Sequence, residues 1–178
     1  MKKFIFSLIA LMAVMTVQAQ SICGSWQSMQ PKVKNNANDT HSTFYDTYTF
    51  NENGTFAITS DITYSTKPSK TMEREVALNS SVSGTYTLNG NKMVMKVDFN
   101  TLKLEVISIS ENGKVIDKPE MISLFNDAFN KDETKSKAAR DFKNDTYTVN
   151  LTSNGSMLEL TDATGETDKL MRIATIKK

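Results

Sequence analysis

The side chains that enzymes use most often for proton transfer and nucleophilic attack are scarce here: His41 is the only histidine and Cys23 the only cysteine. A Ser-His-Asp arrangement would have to use His41, and the chain holds no Gly-x-Ser-x-Gly elbow. His41 lies in an Asn-rich stretch with no Cys and no second His beside it, so a zinc site of ordinary composition has no ligand set and the residue reads as a solvated histidine. One cysteine makes neither an intramolecular disulfide nor a thiolate cluster. No Gly-rich phosphate loop follows a strand pattern. The sequence therefore points to a protein that is not an enzyme and carries no metal and no cofactor. Asp46 is the one charged residue set where chemistry is conceivable, because it alternates with Phe44, Tyr48 and Phe50. If that face points inward, the carboxylate enters an apolar interior and needs a partner, such as a Lys or Tyr near a rim, or a raised pKa.

The elements that must position Asp46 are strands. Phe44 to Asn51 alternates with period two, Glu52-Asn53-Gly54 supplies a hairpin turn, and Thr55 to Tyr64 returns with Phe56, Ile58, Ile62 and Tyr64 on one face. After the break at Lys67-Pro68-Ser69-Lys70, Met72 to Leu78 is a weaker strand suited to an edge or rim. Val82 to Leu88 and Lys92 to Phe99 form the clearest hairpin, about Asn89-Gly90-Asn91, with Tyr86 and Leu88 on one arm and Met93, Met95, Val97 and Phe99 on the other. Thr101 to Ile109 alternates through Leu102, Leu104 and Val106 and then slips phase at Ile107 and Ile109, as a β-bulge would require. Tyr147, Val149 and Leu151 open a final meander through Ser153-Asn154-Gly155 and Ala163-Thr164-Gly165 to Ile176. The first strand is Gly24 to Gln30, with Trp26 facing inward, and residues 31–43 are expected to be a polar loop.

Between the hairpins and the meander the period changes. Asp117-Lys118-Pro119-Glu120 is a helix start, and Met121, Ile122, Phe125, Ala128 and Phe129, continued by Ala138, Ala139 and Phe142, set a helical stripe over about 119–142. That stripe packs against the sheet or over one end of it, or serves as a lid. The fold expected is all-β, an antiparallel up-and-down barrel of about eight to ten strands with one helical insertion.

Residues 1–19 have the form of a secretory signal peptide. Lys2 and Lys3 precede an apolar run from Phe4 to Met15, and Val17-Gln18-Ala19 offers small residues for cleavage. The run is shorter than the ~20 residues a spanning helix needs. Cleavage leaves Gln20–Lys178 as one domain, exported to the periplasm or secreted, and takes the formal charge from +1 to −1 by removing two lysines. Charges of both signs are interspersed, which argues against nucleic acid. Cys23 is an ordinary half-buried thiol, with lipid anchoring to an outer membrane as the alternative and an intermolecular disulfide as a third. The sequence sets no oligomeric state.

These residues resemble a family. Gly24-Ser25-Trp26 is similar to the Gly-x-Trp signature of the lipocalin and calycin group. Phe50-Asn51-Glu52-Asn53-Gly54-Thr55-Phe56 and Ser83-Gly84-Thr85-Tyr86-Thr87-Leu88-Asn89-Gly90-Asn91 resemble lipocalin-like exported domains of Bacteroides and relatives. Leu170-Met171-Arg172 is similar to the late strand whose Arg packs over the signature Trp and closes one barrel end. The resemblance implies Trp26 and Arg172 as structural closure and a small hydrophobic or amphipathic ligand in the barrel. It departs from the family in placing the helix before the final meander. The ligand-facing candidates are Asp46, Tyr48, Phe56, Ile58, Tyr64, Tyr86, Met93 and Met95, with Phe50 and Leu104 on the same faces. The other reading is a filled barrel that presents 31–43 and 65–81 to a protein or glycan partner.

Overall fold

A computed structural model of the chain describes residues 22–36, 40–116, 118–132, 136 and 145–174. The expected signal peptide, its cleavage point and the second half of the helical stripe, including Ala138, Ala139 and Phe142, lie outside the described residues.

The strands are β1 (Gly24–Ser28), β2 (Lys32–Asn36), β3 (Thr40–Phe50), β4 (Thr55–Ser69), β5 (Met72–Asn89), β6 (Lys92–Glu111), β7 (Lys114–Val115), β8 (Asp145–Thr152), β9 (Met157–Thr161) and β10 (Thr167–Ile173), with a helix, α1 (Pro119–Phe129), between β7 and β8. All the pairings are antiparallel. The sheet runs β1-β10-β9-β8-β6-β5-β4-β3, and β1 also pairs with β3, so the ring closes as an up-and-down barrel. Closure satisfies both edges of β1: Trp26 lies opposite Arg172 of β10 on one side and Tyr48 of β3 on the other.

The wall is uneven. β4, β5 and β6 have 15, 18 and 20 residues, whereas β8, β9 and β10 have 8, 5 and 7. β6 pairs with β8 only from Lys92 to Met95. Beyond that level the long strands continue as a tall wall on one side of the barrel mouth. The interior follows this asymmetry, with two apolar clusters. Ile22, Trp26, Tyr48, Phe50, Phe56, Tyr86, Met93, Met95, Val149, Leu158, Leu160 and Leu170 fill the barrel. Val76, Leu78, Val106 and Ile109 form a second cluster on the tall wall, covered by Ile62, Tyr64, Ile116 and the Met121, Ile122, Phe125 and Phe129 face of α1.

Several expectations change. Lys32–Asn36, expected as loop, is strand β2, paired with Thr40–Phe44; its polar side chains carry no period, and pairing with the overhang of β3 supplies the backbone partners that make it a strand. Likewise the 65–81 segment is mostly the end of the β4–β5 hairpin. Met72–Leu78 and Val82–Leu88 join in one strand, as do the two segments around Asn100. In β6, Asp98 turns the chain through Asn100 and Thr101, whose hydroxyl bonds back to the Asp98 carbonyl at 2.6 Å, and pairing resumes at Lys103. The slip at Ile107 is a bulge: Ala77 faces Ser108 and Leu78 faces Val106, so Ile107 is extruded and 57% exposed while Val106 and Ile109 stay buried. The α1 N-cap position is Lys118, which makes no side-chain cap, with Pro119 in the first turn.

The helix takes over where β8 stops pairing. Asn126 Oδ1 accepts the Val106 amide at 2.7 Å, and Asn130 Nδ2 donates to the Leu104 carbonyl at 2.8 Å. Two side chains four residues apart on one helix face thus occupy backbone groups on the β6 edge. No described helix is long and apolar enough to cross a membrane.

Candidate functional site

The two ends of the barrel differ in kind. At one end the interior is solid: Trp26, Phe50, Phe56, Met93, Leu158 and Leu170 are each 1% exposed or less. Trp26 Nε1 donates to the Ile22 carbonyl at 2.7 Å, so its single polar group is answered in the core. The Arg172 guanidinium lies over the Trp26 ring, 4.2 Å from its centroid, and donates to the carbonyls of Cys23 and Gly155 at 2.9 and 3.0 Å. Tyr86 stacks edge-on against Phe50 and donates to the Asn51 carbonyl. Cys23 is half-buried, with its sulfur 3.6 Å from the Tyr86 hydroxyl. Burial, followed by the Cys23 contact, pushes the Tyr86 phenol up.

Toward the other end the same inward faces turn polar. Alternation on β3 sets Asp46 two residues before Tyr48, and alternation on β10 sets Asp168 two residues before Leu170. Asp46 is 8% exposed, accepts the Ser60 hydroxyl at 2.6 Å on Oδ1, and faces Lys32 Nζ at 3.6 Å on Oδ2. Lys32 comes from the first position of β2 and donates to Asp168 Oδ2 at 2.6 Å. Burial pushes the Lys32 ammonium down, but its bond and charge contact with Asp168, then Asp46, outweigh this and leave its pKa raised. On β8, Tyr147 donates to Asp145 at 3.1 Å. The phenol of Tyr48 is pushed well up, first by burial and then by Asp46, Asp168, Tyr147 and Asp145, and makes no hydrogen bond among the described residues. Ser28, one step beyond the Gln27–Thr47 pair toward Asp46, is 4% exposed and its hydroxyl has no partner among the described residues.

Three members of this polar group, Ser28, Lys32 and Asp168, line a cleft of about 540 Å3 between the β1–β2 corner and the start of β10, together with Lys34, Glu166 and Lys169. Ile58, Val82 and Leu104 on the tall wall and Phe44 on β3 are only half-buried, as is Ile62, which packs on the second cluster.

The structure distributes the expected ligand-facing residues among three places. Phe56, Tyr86, Met93 and Met95 belong to the packed closed end. Asp46, Tyr48 and Ile58 border the open half. Tyr64 sits in the second cluster with α1, because β4 has by then run past the barrel. Lys32, Asp168, Ser28, Ser60, Asp145 and Tyr147 are site residues that sequence reasoning did not single out. The Asp168, Leu170, Arg172 alternation carried a signal for one of them; Lys32 was hidden in a segment expected to be loop. His41 lies exposed on β3, paired with Asn35 and Ser65. Among the described residues no three His, Cys, Asp or Glu side chains group as metal ligands do. Compared with known proteins, the chain matches no family model and no curated protein is similar to it in sequence.

Proposed function

We propose that the protein is a non-enzymatic, lipocalin-like binding protein that holds a small amphipathic ligand in the open half of its barrel. The observation that carries this reading is the gradient along the interior. Solid apolar packing about Trp26 gives way to half-buried apolar side chains on the tall wall, faced by the Asp46, Tyr48, Lys32 and Asp168 group. Ligand sites of this kind join an apolar surface to a few convergent polar groups. The resemblance at Gly24-Ser25-Trp26 and Arg172 supports the same reading, as does the export expected from residues 1–19. The filled-barrel interaction protein is the weaker reading, because the segments expected to present loops are largely strand.

Native mass spectrometry on Gln20–Lys178 purified from its own source tests it. Extra mass that is lost on denaturation, or uptake of single-chain amphiphiles by stripped protein at one per chain, is the expected result. A bare polypeptide mass together with no uptake overturns the reading.

A further inference from the structure

Resting on that reading, we propose that the barrel mouth is selective for amphipathic organic cations, whose ammonium group sits among Asp46, Asp145 and Asp168 while the carbon chain lies along the tall wall.

Carboxylates on three different strands, β3, β8 and β10, are brought to the mouth by closure of the ring, and among the described residues one ammonium, Lys32, bridges two of them. The neighbouring lysines are turned to other partners: Lys34 Nζ lies 5.7 Å from the Phe44 ring centroid, and Lys169 faces Glu159 at 3.6 Å. Among the described residues Asp145 is hydrogen-bonded through its side chain by the Tyr147 hydroxyl alone. One buried hydroxyl at this level, Ser28 Oγ on a residue 4% exposed, has no hydrogen-bond partner among the described residues, and unpaired buried polar groups are uncommon enough to call for an occupant. The phenol rings of Tyr48 and Tyr147 lie near these carboxylates, and ring faces with nearby carboxylates form the usual setting for an organic ammonium.

The test is calorimetric titration of the stripped chain with three probes of one chain length, decylammonium, decanol and decanoate, below their aggregation concentrations and at low salt. Decylammonium is expected to bind about tenfold more tightly than decanol, and decanoate most weakly. Asp145→Asn is expected to reduce the cation preference about threefold, and Lys32→Met, which removes the resident ammonium, to raise decylammonium affinity. The Lys32 variant gives a gain that damage to the fold does not mimic. Decanoate or decanol binding as tightly as decylammonium overturns the cation inference and leaves the binding reading standing. Failure of all three probes to bind overturns both.

Discussion

Arg172 and Trp26 are direct cross-strand neighbours, and the guanidinium of one covers the indole of the other at 4.2 Å. The pair joins the last described strand to the first. Gly24 makes room for it: its φ is +124°, and a Cβ there would stand 2.9 Å from Arg172 Nη1. The two members contribute unequally, since Trp26 is fully buried and Arg172 is exposed on its outer side. Trp26→Ala is expected to lose about 3–5 kcal/mol through the cavity it leaves. Arg172→Ala is expected to lose about 1–2 kcal/mol, from one ring contact and two carbonyl bonds. Urea midpoints for both variants check this, and an unchanged midpoint for Trp26→Ala would contradict the closed-end packing.

A second prediction concerns Gly84, where the chain needs the absence of a side chain more than a special backbone angle. A Cβ at this position would stand 2.1 Å from the Lys96 carbonyl oxygen and 2.8 Å from the Phe56 ring. The oxygen belongs to the paired backbone of β6, so it has little freedom to yield. Gly84→Ala is therefore expected to cost about 1–3 kcal/mol by overpacking. Gly90→Ala, which meets nothing within 4 Å but keeps a φ of +62°, is expected to cost about 1 kcal/mol. Thermal melts that rank Gly90→Ala as the more damaging change would overturn the steric account.

The parts of this fold that were legible in the sequence are those fixed by near neighbours. Asn53-Gly54 and Asn89-Gly90 mark hairpins because the turns require positive φ, and both glycines have it. The period-two faces of β3 and β4 follow from one side being buried. The extrusion of Ile107 was visible as a phase slip for the same reason. What escaped depends on distant partners. Lys32–Asn36 is a strand because β3 overhangs it, and no property of Lys-Val-Lys-Asn-Asn announces this. Lys32 and Asp168 meet across 136 positions only when β1 closes on β10. Asp46 was recognisable as an inward carboxylate from its own strand, whereas its partners Ser60 and Lys32 became evident only with the register of the neighbouring strands.

The third prediction tests the helix as an edge guard. Asn126 and Asn130 answer Val106 N–H and the Leu104 carbonyl, where β6 has passed the end of its pairing with β8. Replacing both with Ala leaves these groups to solvent and is expected to cost about 1 kcal/mol per bond. Hydrogen exchange at the Val106 amide should quicken, while amides in the β3–β4 hairpin keep their protection. Unchanged exchange at Val106 would show that the two side chains do not shield the edge.

The fourth prediction is alkaline. Tyr48, Tyr86, Tyr147 and Lys32 all have raised folded-state pKa values, against ordinary values of 10.0 for the phenols and 10.5 for the amine. A group that holds its proton more tightly when folded contributes stability that is fully present below its unfolded pKa and is lost as pH rises past it. Stability from these groups should hold steady from pH 7 to 9 and fall above about pH 10. Tyr48 is the clearest reporter, because burial dominates its shift and its hydroxyl has no hydrogen bond to lose. Tyr48→Phe is expected to stay within about 1 kcal/mol of the parent at neutral pH. Above pH 10 it should melt higher than the parent, since it has no phenolate to desolvate. Equal alkaline slopes in parent and variant melts would show that Tyr48 ionises as freely in the folded chain as in the unfolded one, and so would remove the evidence for a dry, anionic surrounding at that hydroxyl.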